Sequence, residues 1–361
     1  MQHAIRNRLA GSFLAAAVVL VAAVSPDGVS AQRQLSSPAA VSSEVRVMSF
    51  NIRYGTANDG ENVWPNRRAQ VGHVISEFRP TVLGVQEALA FQVRELESML
   101  PGYGRVGIGR DDGVEAGEFS AILYDASRLE VIAEGTFWFS ESPGEPGTTA
   151  WGATIPRICT WARFRDLSNG RTFFVYNNHW DHQAQESRER SAALLLQRIA
   201  ARDPAGDPVI VTGDFNAGED NAAFEMLVRD SVVRLSDTYR TLHPSVTVTG
   251  TFNGFEGTSD GPKIDAVLAT RDWLVVSSAI DRANSNGRYP SDHFPVTAVL
   301  RLRRASRRFR SRPPHRRTDT NTCPEPTPIR SKCHSGAAAS LRRVYRSTCS
   351  TSSSSRAIPR T

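Results

Sequence analysis

The chain has 361 residues, 40% of them hydrophobic, enough for one large core or two ordinary ones. Its net charge of +6 conceals a split: from residue 301 on there are 16 Lys+Arg against 2 Asp+Glu, while residues 1–300 hold 27 basic and 35 acidic groups. An acidic body excludes the broad basic footprint of tight duplex binding and suits a cation site or a small substrate.

In chain order, residues 1–31 read as an export signal peptide. Arg6 and Arg8 precede the apolar run 9–24, and the small residues 29–31 offer a cleavage site before Gln32. The run is shorter than the ~20 apolar residues of a spanning helix, and no later segment is a candidate, so a secreted or periplasmic protein that is not membrane-embedded is expected. Residues 32–43 are a polar linker, and the folded domain is expected over 44–302.

Apolar runs at 45–52, 81–87, 119–125, 171–179, 208–214 and 263–269 read as strands, with a last strand following "SDHFPV" at 291–296. Between them, 66–78, 91–100, 186–202 and 222–228 read as helices. In the third, Ala192, Leu195, Leu196 and Ile199 share one face. This interleaving predicts α/β layers, with too many strands for one small sheet. Cys159 lacks a partner in the domain and reads as a buried structural thiol. Cys323, Cys333 and Cys349 show no metal-type spacing. Residues 303–361 are rich in Arg, Ser, Thr and Pro and too poor in large apolar residues to offset ordering entropy. They read as a basic disordered tail, an appendage or frame-shifted end, the alternative being a basic arm for nucleic acid or cell wall.

Polar residues recur where strands end. Asn51 closes the first and Glu87 the second. His179 follows Asn177 and Asn178, Asp214 and Asn216 close a fourth, and Asp265 lies in a fifth. Asp292 and His293 precede the last. Each alone is an ordinary turn former or solvated group; so many exits of this kind in one chain predict one shared pocket. Glu87 and Asp292 are hard oxygen donors and Asn51 adds an amide oxygen, a set suited to Mg²⁺ or Mn²⁺. His179 and His293 can donate to phosphate oxygens, and Asp265 can orient one of them. Asp214 can deprotonate a water that Asn216 holds in line. Together they describe metal-assisted attack of water on phosphorus.

The order of "MSFNIR" (48–53), "VQEA" (85–88), "NNHWDH" (177–182), "GDFN" (213–216), "KIDAVL" (263–268) and "SDHFPV" (291–296) resembles the endonuclease/exonuclease/phosphatase superfamily, the DNase I-like fold. The resemblance implies a four-layer α/β/β/α sandwich of two packed mixed sheets and divalent-metal-dependent phosphoester hydrolysis. It places Asn51, Glu87 and Asp292 at the metal. His179 becomes a phosphate-contacting acid, Asp214 and Asn216 the water-handling pair, and Asp265 the partner of His293. "NIRYGTANDGENVWPNRR" (51–68), "GRDDGVEAGEFSAILYD" (109–125), "TWARF" (160–164) and "GTFNGFEG" (250–257) are similar to a secreted or surface bacterial group related to a deadenylase-like branch. That likeness makes Arg110, Asp111, Asp112 and Glu118 substrate-contact candidates, and Asn178 and Asn253 complete the set. Ala266 stands where an aromatic is usual and Asn253 where a His is usual. The expected function is a secreted phosphodiesterase or nuclease-like enzyme, active as a monomer on a nucleic acid, nucleotide or small phosphodiester, with no stable protein partner. The alternatives are a phosphomonoesterase of a small phosphorylated substrate, or an inactive binding module that keeps the fold.

Overall fold

The computed structural model describes residues 44–303; the expected signal peptide and linker, and the expected tail from residue 304 on, lie outside the described residues. Fourteen strands and five α-helices follow one another there. The first half holds β1 (Glu44–Asn51), α1 (Trp64–Phe78), β2 (Val82–Gln86), β3 (Ala88–Leu89), α2 (Ala90–Met99), β4 (Tyr103–Val106), β5 (Glu118–Phe119), β6 (Ile122–Asp125) and β7 (Leu129–Trp138). The second holds β8 (Ile158–Asp166), β9 (Thr172–His179), α3 (Gln185–Ala200), β10 (Val209–Asp214), α4 (Ala222–Arg229), β11 (Leu235–Asp237), α5 (Thr238–Leu242), β12 (Asp265–Thr270), β13 (Trp273–Ile280) and β14 (Val296–Leu302). Two six-stranded sheets form, in the orders β13-β14-β1-β2-β6-β4 and β11-β12-β10-β9-β8-β7. Each is mixed: β1 and β2 are parallel at the centre of one, β9 and β10 at the centre of the other, and their other neighbours are antiparallel.

The period-2 alternation of the strands builds the layers. Val45 and Val47 of β1 face the second sheet, where they meet Phe173, Val175, Ile210 and Val267. Met48 and Phe50 point the other way and pack on Val71, Ile75, Val93 and Leu96 of α1 and α2. In the second sheet, Phe174, Tyr176, Val209 and Val211 turn outward onto Leu195, Ile199 and Phe224 of α3 and α4. The result is the helix–sheet–sheet–helix sandwich expected from the motifs. The strands and helices read from sequence are all present. The edge strands β7 and β13 were not legible, because neither carries a clean alternation: β7 alternates buried with exposed residues only in part, and β13 exposes Leu274 and Val276. Cys159 is a free, fully buried thiol whose pKa burial pushes well up, in accord with its structural reading.

Towards the C-terminal ends of the parallel strands the inward-facing residues change from apolar to polar. Asn177 sits at this boundary and ties the sheets together. Its Nδ2 donates to Val85 O and Ala121 O, both at 2.9 Å, while its Oδ1 accepts from Gln86 Nε2 at 2.7 Å and Thr212 Oγ1 at 2.9 Å. Gly84 leaves room for this knot: a β-carbon there would stand 2.6 Å from Asn177 Oδ1 and nearer still to Thr212 Oγ1. Gly84→Ala should therefore cost about 1–3 kcal/mol of stability, the usual penalty of overpacking a closed interior. Denaturant unfolding against wild type measures it, and an unchanged midpoint would refute the tight fit.

Candidate functional site

The C-terminal ends of both parallel pairs open on one cleft of about 600 Å³. Strand register sets its floor. Asp214 of β10 lies abreast of His179 on β9 and of Asp265 on β12, and Asn51 of β1 lies abreast of Gln86, one residue before Glu87. The chain leaves three of these strands through left-handed residues that are not glycine: Arg53 (φ 58°), Glu87 (φ 61°) and Asn216 (φ 47°). Such backbone costs on the order of 1–3 kcal/mol per residue for ordinary side chains and collects where function demands it. The loop carrying Asp292 is fastened to β1, because Ser291 Oγ donates to Asn51 O at 2.7 Å.

Asp214 is at the centre. Its Oδ1 accepts from Asn216 N at 2.9 Å, and its Oδ2 accepts from Asn51 Nδ2 at 2.9 Å. Two imidazoles flank Oδ2: His179 Nε2 at 3.5 Å and His293 Nε2 at 3.8 Å. Burial, reinforced by the charge of Asp265, raises the Asp214 pKa to about 7. The two histidines are driven apart. Burial opposes charge on His293, but Asp265, whose Oδ2 lies 2.9 Å from Nδ1, and Asp214 hold its pKa well above the usual value. Burial, with Arg157 and Arg110 adding to it, pushes His179 well below that value, so its ring is neutral. The sequence reading of His179 as an acid therefore needs its one neutral N–H as the donor. Asn216 Nδ2 reaches both His179 Nε2 at 3.1 Å and Trp180 O at 3.0 Å.

Glu87 faces the same centre, its Oε1 accepting from Asn51 Nδ2 at 2.9 Å and its Oε2 from Tyr54 N at 3.2 Å. Asp292 is buried, with Arg53 Nε 3.6 Å from its Oδ2. Burial leads in raising the pKa of Asp214, Asp292 and Glu118 alike, against the opposing charges of His293 and the neighbouring arginines. Among the described residues, the acid and imidazole triads whose ligand atoms lie within 4.8 Å of one another are Glu87–His179–Asp214 and Asp214–Asp265–His293. The second is already bonded through His293 and Asp265. A divalent cation fits the first, where carboxylate oxygens gather. Asn51, expected as an oxygen donor, has its Oδ1 accepting from Arg53 N at 3.0 Å and its amide nitrogen donating to Glu87 and Asp214.

Four expected substrate contacts lie elsewhere. Asn178 neighbours His179 on a strand, so alternation sends it to the opposite face, where it is fully buried and donates to Thr212 O at 2.9 Å. Asn253 is also buried; it donates to Ser291 O at 3.2 Å and accepts from Phe255 N at 2.8 Å, bracing the loop rather than lining the cleft. Asp112 is an exposed turn builder, accepting from Val114 N and Ala116 N at 2.8 and 2.9 Å, and those amide bonds lower its pKa. Asp111 is exposed beside Arg110. Glu118 does line the cleft wall, and Arg110 stands behind it, paired with it through two contacts of 2.6 and 2.8 Å. Sequence reasoning assigned no role to Arg53, Tyr54, Arg157, His182 or Phe252, all of which line the cleft. Arg157 had no signal as a site residue because β8, which it precedes, was not delimited.

A sequence model described as the Endonuclease/Exonuclease/phosphatase family matches residues 48–293, and the chain belongs to that family. Solved structures agree. A Bacteroides vulgatus endonuclease/exonuclease/phosphatase is 35% identical, with 72% of this chain and 99% of that chain covered and a TM-score of 0.67. A Bacteroides thetaiotaomicron protein described as a mannosyl-6-phosphatase is 30% identical over 71% of this chain and 99% of that one, with a TM-score of 0.64. The catalytic domain of human nocturnin, 19% identical at a TM-score of 0.59 and covering 72% and 94%, shares the fold. A search of curated proteins returns no match. The protein is thus a phosphoester hydrolase by family. Among the described residues no helix is long and apolar enough to cross a membrane.

Proposed function

We propose that the protein is an exported, Mg²⁺- or Mn²⁺-dependent hydrolase that attacks a phosphoester with a water held by Asp214 and Asn216. The observation that carries this reading is Asp214 itself: a buried carboxylate with a pKa of about 7, set between one imidazole held charged and one held neutral. A base poised near neutral pH takes a proton from water in the reaction and releases it afterwards. Charged His293, steadied by Asp265, faces the developing negative charge on phosphorus oxygens. The cation would be held by Glu87, with Asp292 near it, leaving Asp214 to the water. When bound, the cation supplies Lewis-acid polarisation of the phosphoryl group. The residues 1–31 that read as a signal peptide support export.

The sequence reading put a phosphodiester first. A small phosphomonoester is the reading we favour here, because a 30% identical structure that this chain matches along nearly all of its length is described as a mannosyl-6-phosphatase. The test is phosphate release from mannose 6-phosphate and an aryl phosphate, beside cleavage of a bis-aryl phosphate and short single-stranded RNA and DNA. Each is run with Mg²⁺, Mn²⁺ or chelator. Hydrolysis abolished by chelation and restored by either ion is expected; chelator-insensitive turnover would refute the metal dependence. Glu87→Gln, which keeps shape but removes a negative donor, should weaken metal affinity at least about 10-fold and be partly rescued by raised metal. Unchanged metal dependence would remove Glu87 from the site.

A further inference from the structure

Beside His179 the cleft contains a cation whose bonding is incomplete. Arg157, immediately before β8, is 4% exposed yet lines the cleft. Its Nη1 lies 3.1 and 3.0 Å from the two ring nitrogens of His179, and its Nη2 lies 2.8 Å from His182 Nδ1. Both partners are imidazoles. Its Nε is buried without a hydrogen-bond partner among the described residues. The nearest carboxylate oxygen paired with it, Asp181 Oδ2, is 3.7 Å away, beyond hydrogen-bond distance, and Asp181 Oδ1 is already taken by Gln183 N and Ala184 N.

Two neighbouring arginines, Arg53 in the cleft lining and Arg110 behind Glu118, are spent differently. Arg110 is bonded twice to Glu118, and Arg53 twice to Asp59 at 3.1 and 3.0 Å. Arg157 is the member of this trio with no carboxylate in hydrogen-bond range. A buried guanidinium left this way is costly unless an anion completes it. Its planar fork of donors matches the oxygens of a phosphate. His182, exposed at the rim, supplies a second ring nitrogen on the same side.

We propose that Arg157 and His182 form the subsite that receives the terminal, unesterified oxygens of a phosphomonoester, and that this subsite sets selectivity for monoesters over diesters. The proposal rests on the hydrolase reading above and adds the group that recognises the substrate. A monoester brings three terminal oxygens and up to two charges. A diester brings two and one, and its second ester arm would desolvate Arg157 without returning an equally charged acceptor.

The experiment uses the full chain, its Arg157→Lys and His182→Ala variants, an aryl phosphate, a bis-aryl phosphate and inorganic phosphate. Lysine keeps the charge and loses the fork. In Arg157→Lys, kcat/KM for the monoester should fall by about 10²–10³-fold, the scale of losing one aligned anion donor. The diester should fall by much less, so that the ratio of the two drops at least about 10-fold, with inorganic phosphate binding, read by calorimetry, weakened in step. His182→Ala should move both readouts in the same direction by a smaller factor. Equal losses on both substrates with unchanged phosphate affinity would make Arg157 only a support for His179 and overturn the proposal, as would no loss at all. Should wild type turn over neither substrate, the hydrolase reading fails, and phosphate binding alone decides the subsite: weaker binding in the variants upholds it, equal binding ends it. If Arg157→Lys does not fold, His182→Ala at the exposed rim carries the same comparison.

Discussion

Asp214→Asn is expected to lower kcat by about 10²–10⁴-fold, the usual worth of a positioned general base, while leaving KM close to wild type. The substitution keeps the size and planarity of the side chain and an oxygen to accept from Asn216 N, but it cannot take a proton. Since a carboxylate works as a base only when ionised, and burial with Asp265 holds Asp214 at about 7, wild-type activity should fall as pH drops below about 7. The variant should lack that limb. The competing explanation is that "GDFN" only builds a turn. A variant with wild-type kcat and a lowered melting temperature would establish it, so kinetics and thermal unfolding belong on one preparation.

The second large effect concerns His293 and Asp265. The imidazole is buried, which disfavours its charge, and it is charged only because Asp265 at 2.9 Å and Asp214 outweigh burial. Removing Asp265 should therefore disable His293, and removing His293 leaves a buried carboxylate whose Oδ1 already lacks a partner among the described residues. Each single alanine variant should lose about 10²–10⁴-fold in kcat, and the double variant little more than the worse single, since the pair acts as one unit. Additive losses would show that the two act independently. The pair also leaves a mark on stability. A histidine whose folded pKa is raised contributes stability that is fully present below the unfolded value of 6.5 and fades as pH rises through the raised value. The melting-temperature advantage of wild type over Asp265→Asn should accordingly be largest in mildly acidic buffer and shrink on the alkaline side.

Much of this site was legible in one dimension because most of its residues stand where a strand ends or begins. An apolar run that stops at Asn51, Glu87, His179 or Asp214 marks both the element and its exit, and in a layered α/β chain the exits of parallel strands gather at one edge. What went astray did so for local reasons. Asn178 was grouped with His179 although adjacent strand residues face opposite ways, a rule the sequence already contained. Asn253 and Asp112 were polar residues in likely-looking loops, and polar loop residues often serve their own backbone. Arg157 stood before an unrecognised strand and nothing around it suggested a ligand.

The sequence by itself determined the alternating core, the order of elements, the family motifs and the positions of Asn51, Glu87, Asp214, Asp265 and His293 at strand ends. Only the tertiary structure decided which polar residues meet, because each meeting joins segments far apart in the chain: Asn51 with Asp214, Asp265 with His293, Arg157 with His182. It also decided their charge. A histidine has the same intrinsic pKa wherever it is written, and burial beside two arginines keeps His179 neutral while burial beside two aspartates keeps His293 charged. Desolvation and neighbouring charge are properties of packing, so the division of labour between two identical side chains exists only once the sheets have closed on each other.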